Sequence, residues 1–231
     1  MTIIKIFISP SIVFQTLVKR KNRKDSTAPL VILAVAGLMS MFLLQDLLKD
    51  YQREQSIQRI EESSHIPEDQ KDELISDIYN RIENPSTLMQ VVGWASSATS
   101  TPIRVMFMSL IVLFVGNFIF GGKSTYGAML TITAYSYLVN IPELIVKIPL
   151  MLSKWSMEVY TGLGIFEIGE QGSFVNMFLA GIDIFAIWRL VLIAIGMSIV
   201  YQKGTKPIFI TLISFWLLLL AFGVGVASLL S

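Results

Sequence analysis

The sequence predicts an all-α integral membrane protein with five transmembrane helices and an external helical hairpin. Hydrophobic residues make up 53% of the 231 residues and charged residues only 15%, whereas a typical globular domain is about one quarter charged. Five stretches are apolar enough to cross about 30 Å of hydrocarbon, which requires about 20 helical residues. The strand alternation of a membrane barrel is missing from the sequence.

Apolar residues cover every face of these helices, so periodicity does not identify the spans. They are therefore assigned by length. The first covers residues 29–48 and follows a basic N-terminal segment, residues 1–28. The others lie within residues 102–231: Pro102–Phe120, Tyr126–Leu152, a helix that begins between Phe174 and Gly181 and ends near Tyr201, and Pro207–Leu230. Pro142 and Pro149 are expected to break the third span.

The basic residues that flank the spans predict the orientation. If the spans alternate, nine cations fall on one side: Lys5, Lys19, Arg20, Lys21, Arg23, Lys24, Lys123, Lys203 and Lys206. We expect a cell (plasma) membrane protein with these residues and the N-terminus in the cytoplasm, and Ser231 on the extracytoplasmic side. Residues 9–24 are expected to lie on the inner membrane surface as an amphipathic helix, with Val13, Phe14, Leu17 and Val18 in one stripe.

Residues 49–101 are too polar to be buried in lipid and are predicted to form an extracytoplasmic acidic helical hairpin. Ten acidic and five basic residues between positions 49 and 84 give this part a net charge of −5. One helical face carries the candidate docking residues for an external partner, Leu74, Ile78, Tyr79 and Ile82. Packing of that face within the hairpin is the alternative. The segment 86–101 is expected at the outer interface, or as an outward extension of the second span with a bend at Pro102.

Catalytic and cofactor-binding motifs are missing from the sequence. The chain has no cysteine and a single histidine, His65, which removes thiol chemistry and most Cys- or His-ligated metal sites. The run Gly121–Gly122–Lys123–Ser124–Thr125 resembles the end of a phosphate-binding loop, but Asn117 occupies the position of the first glycine. A tight turn between two spans is favoured. We therefore expect a protein that is not an enzyme, with no cofactor, no metal and no nucleic-acid partner.

Polar side chains within the spans are the remaining functional candidates. They are Asp183, Arg189, Asn117, Tyr135, Asn140 and Glu143. Asp183 and Arg189 are assigned to the fourth helix, six residues apart, a spacing that does not form a pair within one helix. Glu143 and Lys147 are four residues apart and are expected to pair near the outer interface. A substrate or proton path and an intramembrane docking site are the functional interpretations, and contacts that only hold helices together are favoured over both.

Short motifs in a common order resemble the Yip1 family of five-span membrane proteins. They are Ser9–Pro10 with Phe14, Gly121–Gly122–Lys123–Ser124–Thr125–Tyr126, Tyr135–Ser136 with Pro142, and Asp183–Ile184–Phe185–Ala186–Ile187–Trp188 followed by Leu192 and Gly196. The resemblance implies a role in vesicle trafficking with small GTPases of the Rab class, as in eukaryotic members. With its inserted outer hairpin, the chain resembles a bacterial member of the family instead. Some bacterial relatives accompany ABC-type exporters that expel toxic peptides, together with an adaptor-like subunit.

The leading hypothesis is a non-enzymatic accessory subunit of a transport complex, an ABC-type exporter that protects against a toxic peptide. Its partners would be the lipid bilayer, an ABC permease/ATPase and an adaptor. The alternatives are a membrane-organising or trafficking scaffold of Yip1 type and a small secondary transporter with Asp183 and Arg189 in its pathway. In the fifth span Ala221, Gly223, Gly225 and Ala227 place small residues four apart, which also suits a homo-oligomer.

Overall fold

The computed structural model describes residues 2–20, 24–63, 65–170 and 172–230. Within these ranges the α-helices are α1 Thr2–Ile8, α2 Pro10–Arg20, α3 Thr27–Glu61, α4 Glu68–Glu83, α5 Thr87–Phe114, α6 Tyr126–Ser136, α7 Asn140–Lys154, α8 Phe174–Gly181, α9 Ile184–Tyr201 and α10 Thr205–Leu230. A π-helical turn, Val115–Ile119, continues α5, and a 3₁₀ turn, Tyr137–Val139, joins α6 to α7. Five of the described helical segments are long and apolar enough to cross a membrane, which confirms the predicted fold class.

The first span continues without interruption into the external hairpin. α3 is a single helix of 35 residues, about 52 Å long at 1.5 Å per residue, and α4 folds back beside its polar half. Arg53 joins the two arms, because its guanidinium binds Asp50 at 3.1 Å on α3 and Glu83 on α4. The same guanidinium lies 5.0 Å from the ring centre of Tyr79 on α4. The hairpin therefore shares its first arm with the first span.

The helix that contains the second span begins about fifteen residues before Pro102, in agreement with the alternative that residues 86–101 extend this helix. α5 starts at Thr87 and passes through Pro102 as one helix. It packs on the apolar half of α3, where the Ser97 hydroxyl donates to the carbonyl oxygen of Gly37 at 2.7 Å. A Cβ atom on Gly37 would lie 2.2 Å from the Ser97 carbonyl oxygen, so the two backbones touch there. Residues 87–101 thus belong to the same helix as the second span and lie beside α3.

The N-terminal amphipathic helix packs its apolar stripe on other helices of the protein, and its position on the membrane surface stays a prediction. The stripe residue Phe14 is fully buried in the core that α6 and α9 share. The ring of Phe7 meets the ring of Trp188 edge to face, with 5.7 Å between their centres. Trp188 is about 20 Å along α9 from Tyr201 at its end, so Phe7 of α1 contacts α9 near the start of that helix. Lys21, Arg23 and Ser231, which the orientation argument used, lie outside the described residues.

The third and fourth spans contain breaks at positions that the sequence did not indicate. The 3₁₀ turn Tyr137–Val139 divides the third span before Pro142, and Pro149 lies inside α7. In the fourth span α8 is a separate helix, and α9 begins directly after Asp183. Asp183 is the N-cap of α9, since its Oδ1 accepts the backbone N–H of Ala186 at 2.6 Å. Asp183 therefore lies at the N-terminal end of α9. This corrects its predicted position within the fourth helix.

The turn after α5 and the turn after α9 lie side by side at one end of the bundle. The Tyr201 hydroxyl donates to Oδ1 of Asn117 at 3.0 Å, and the same oxygen accepts the backbone N–H of Ser124 at 2.9 Å. A Cβ atom on Gly116 or Gly122 would come within 2.2 Å of the Tyr201 ring. Glycine is required at both positions because this ring fills the space, which supports the interpretation of the segment as a tight turn.

Candidate functional site: a charge network between two helices

One face of α7 carries three polar side chains. Asn140, Glu143 and Lys147 are spaced by three and four residues, which places them on the same side of the helix. They point towards the start of α9, where Asp183 caps the helix and Arg189 follows in its second turn. The expected pair forms, with Nζ of Lys147 at 2.6 Å from Oε1 of Glu143.

The four charged side chains alternate in sign along the network. Nζ of Lys147 also lies 3.0 Å from Oδ2 of Asp183. The second oxygen of Glu143, Oε2, lies 2.6 Å from Nη1 of Arg189. The order is therefore Asp183, Lys147, Glu143, Arg189, and the four formal charges cancel. Asp183 and Arg189 are six residues apart, a spacing that does not form a pair within one helix. Lys147 and Glu143 on α7 connect them.

Arg189 has two further partners at the base of α7. Its Nη1 donates to Oδ1 of Asn140 at 2.7 Å, and its guanidinium carbon lies 5.5 Å from the ring centre of Tyr137. The charged side chains of the network are only 14–19% exposed. Removing one partner of a buried ion pair typically costs about 3–5 kcal/mol. The network therefore fixes α7 against α9.

The loop between α7 and α8 supports Asp183 from the other side. The backbone N–H of Leu163 donates to the carbonyl oxygen of Ile182 at 3.0 Å, and Gly162 pairs with Asp183 in an isolated β-bridge. A Cβ atom on Gly162 would lie 2.1 Å from the Ile182 carbonyl oxygen, so this approach requires glycine. The position of Asp183 is thus set by backbone contacts. In the same loop, burial raises the pKa of Tyr160, so its phenol stays neutral at pH 7.

A cavity of about 290 Å³ lies beside the network. Helices α3, α5, α7 and α9 form its walls, and its polar lining, besides Asn140 and Glu143, consists of Ser40, Ser97, Ser100, Thr101, Arg104 and Arg189. An apolar pocket of about 270 Å³ between α3 and α7 adjoins it, with Ala36, Ser40 and Leu144 common to both. Arg104 is exposed and has no ion-pair partner among the described residues.

The structure brings together four of the six polar residues singled out in the sequence: Asp183, Arg189, Asn140 and Glu143. Asn117 instead fastens the turn beside Tyr201, and Tyr135 is buried in the core near α2, apart from the network. Tyr137 is one of the polar residues of the third span, three residues before Asn140, but it was not among the candidates. Sequence reasoning missed Arg104, although a charge inside an apolar span is a detectable signal.

The candidate docking face of the hairpin is divided between two environments. Leu74 and Tyr79 are 38% and 41% exposed. Ile78 and Ile82 are half-buried, and α3 is the helix against which α4 packs. Part of the stripe therefore packs within the hairpin, while Leu74 and the edge of Tyr79 stay accessible.

Comparison with models of known protein families gives a match. The sequence matches the Yip1 domain family over residues 4–227, nearly the whole chain, including the hairpin and the charge network. No curated protein and no solved structure gives a significant match. In the described part of the chain, no group of three or more potential metal-ligating side chains is assembled.

Proposed function

Because the chain belongs to the Yip1 family, we propose that it is a non-enzymatic accessory subunit of a membrane transport complex. The complex would be an ABC-type exporter that protects the cell against a toxic peptide, with ATP hydrolysed by a partner permease and an adaptor on the outer side. In this proposal the protein lies in the plasma membrane with its N-terminus in the cytoplasm and its C-terminus outside.

The observation that carries the proposal is the length of the exposed apolar surface on α5. Exposed large apolar side chains extend from Leu88 to Ile119, about 47 Å along the helix. The hydrocarbon core is about 30 Å thick. To hide the whole surface in lipid, α5 would have to tilt by about 50°, whereas membrane helices tilt by about 0–40°. A protein partner would cover the part of the apolar surface of α5 that the lipid does not cover.

One end of this surface is next to the hairpin. There, four side chains that we call the outer patch are each more than half exposed: Leu88, Met89, Val91 and Val92. The small and polar residues 95–101 separate the outer patch from the apolar part below. Above it stands the hairpin, with a net charge of −5 between positions 49 and 84. A membrane subunit with an apolar helix end and a basic outer loop would complement this surface.

The charge network suits a subunit that holds a fixed shape. Each carboxylate of the network is paired with a cation at 3.0 Å or less, so each has a fixed position between α7 and α9. A scaffold of Yip1 type is the second candidate, because a second copy of the chain could also cover the outer patch. The two candidates predict different partners in the membrane.

Affinity purification of the tagged full chain in mild detergent, followed by mass spectrometry, tests the proposal. We expect an ATPase-bearing permease and an adaptor to co-purify with the wild type. The double substitution Leu88→Glu and Val92→Glu should remove them, because it places charges on the outer patch. Ser76→Glu, on the exposed side of α4, is the matched control and should leave them bound. Recovery of the chain with only itself would overturn the exporter role in favour of the scaffold.

A further inference from the structure

We propose that the polar cavity and the adjoining apolar pocket form one binding site for an anionic phospholipid. Its phosphate would lie beside Arg104 and Arg189, and one acyl chain would lie between α3 and α7. This site is independent of the outer patch and would exist whether the protein serves an exporter or a scaffold.

Charge is the first argument for an anionic ligand. The network is neutral in sum, so Arg104 gives this region a net positive charge. A charged side chain within a membrane span is costly unless it faces a partner or water. Arg104 has no acidic partner in the described residues, and a planar guanidinium matches the oxygens of a phosphate group. Glu143 also lines the cavity, but Lys147 and Arg189 neutralise its two oxygens.

The hydroxyl groups of the cavity are the second argument. The Ser40 hydroxyl donates to the carbonyl oxygen of Ala36 at 2.8 Å, and the Ser97 hydroxyl donates to that of Gly37 at 2.7 Å. Since both protons are engaged, these oxygens are left as acceptors for a ligand. A hydroxyl-bearing phosphate head group, such as phosphoglycerol, provides donors for them and an anion for the arginines.

Continuity with the apolar pocket distinguishes a lipid from a free phosphate. Ala36, Ser40 and Leu144 line both spaces, so a ligand can occupy the two at once. The apolar pocket opens towards the lipid side, where Met39 and Ile145 are 59% and 69% exposed. A polar head next to an apolar channel of similar volume fits an amphiphile, whereas inorganic or glycerol phosphate would use only half of the site.

Native mass spectrometry of the full chain in detergent provides the test. The probes are dioleoyl phosphatidylglycerol, dioleoyl phosphatidylcholine and glycerol 3-phosphate. We expect phosphatidylglycerol to bind at least about tenfold more tightly than phosphatidylcholine, a difference of the size that one charge-assisted contact gives, and no retention of glycerol 3-phosphate. Arg104→Gln should remove this preference. Arg59→Gln, at an exposed position of α3 in the hairpin, should keep it.

Two further variants separate binding from folding. Arg104→Lys keeps the charge and should keep a preference for phosphatidylglycerol, while Ala36→Leu narrows the passage between the two spaces and should weaken binding of the lipid. Thermal unfolding of each variant is measured in parallel. Equal binding of the two lipids by the wild type, or wild-type binding by Arg104→Gln, overturns the site. Binding of glycerol 3-phosphate as tight as that of the lipid overturns the part played by the apolar pocket.

Discussion

Replacing Glu143 by glutamine tests whether the charge network holds α7 to α9. The carboxylate bridges Lys147 and Arg189, each at 2.6 Å, so a neutral amide leaves two cations with one acid. Loss of one partner from a buried pair costs about 3–5 kcal/mol. Lys147 keeps Asp183 at 3.0 Å and Arg189 keeps Asn140 at 2.7 Å. We therefore expect Glu143→Gln to lower the free energy of unfolding by about 2–3 kcal/mol, below the full cost of a broken pair.

A double-mutant cycle makes this prediction specific to charge. Arg189→Gln leaves one acid in excess and should cost a similar amount, whereas the double variant restores neutrality and should cost about 1–2 kcal/mol less than the sum. Unfolding in mixed micelles of sodium dodecyl sulfate, followed by tryptophan fluorescence, measures these values. Glu54→Gln, an exposed acid on α3, is the control. Additive effects, or single variants within about 0.5 kcal/mol of the wild type, would refute the reasoning.

The turn beside Tyr201 offers a second test: Gly116→Ala should destabilise by about 1–3 kcal/mol in thermal unfolding, because its Cβ would lie 2.2 Å from the ring. Gly127→Ala, whose Cβ meets nothing within 4 Å, should not destabilise. A reporter fused at Ser124 is expected to be cytoplasmic and one fused after residue 231 extracytoplasmic, since the basic turns flank the inner ends; the reverse pattern contradicts the orientation. Arg53→Ala should expose the link between α3 and α4 to proteolysis while the melting temperature changes little, because exposed pairs contribute only about 0–1 kcal/mol. Unchanged protection would show that Arg53 does not join the arms.

The five spans were predictable because length and composition alone decide whether a helix can cross a bilayer. The start of the helix that contains the second span stayed open between two alternatives, because the run 95–101 is rich in serine and threonine and reads as polar. In the structure the Thr99 hydroxyl donates to the carbonyl oxygen of Ala95 at 2.7 Å, and the Ser97 hydroxyl donates to Gly37. Hydroxyls that bond the helical backbone let such a run continue inside a span.

The charge network was predictable only in part, for a related reason. The Glu143–Lys147 pair follows from a spacing of four residues within one helix. The links to Asp183 and Arg189 depend on the relative depth of α7 and α9, which tertiary packing determines. Hydropathy also conceals the break before α9, since Gly181 and Ile182 do not interrupt the apolar run. The preference of aspartate for helix N-caps was the available signal.

The continuity of α3 has a mechanical consequence. One helix carries the cavity wall at Ala36 and the hairpin arm that ends at Glu61. These residues are about 37 Å apart along the axis, so a tilt of about 5° at the cavity displaces the tip by about 3 Å. A partner bound to the hairpin would thus contact the same helix that packs between α5 and α7. A displacement of the hairpin would therefore reach the cavity lined by Arg104 and Arg189 through this one helix.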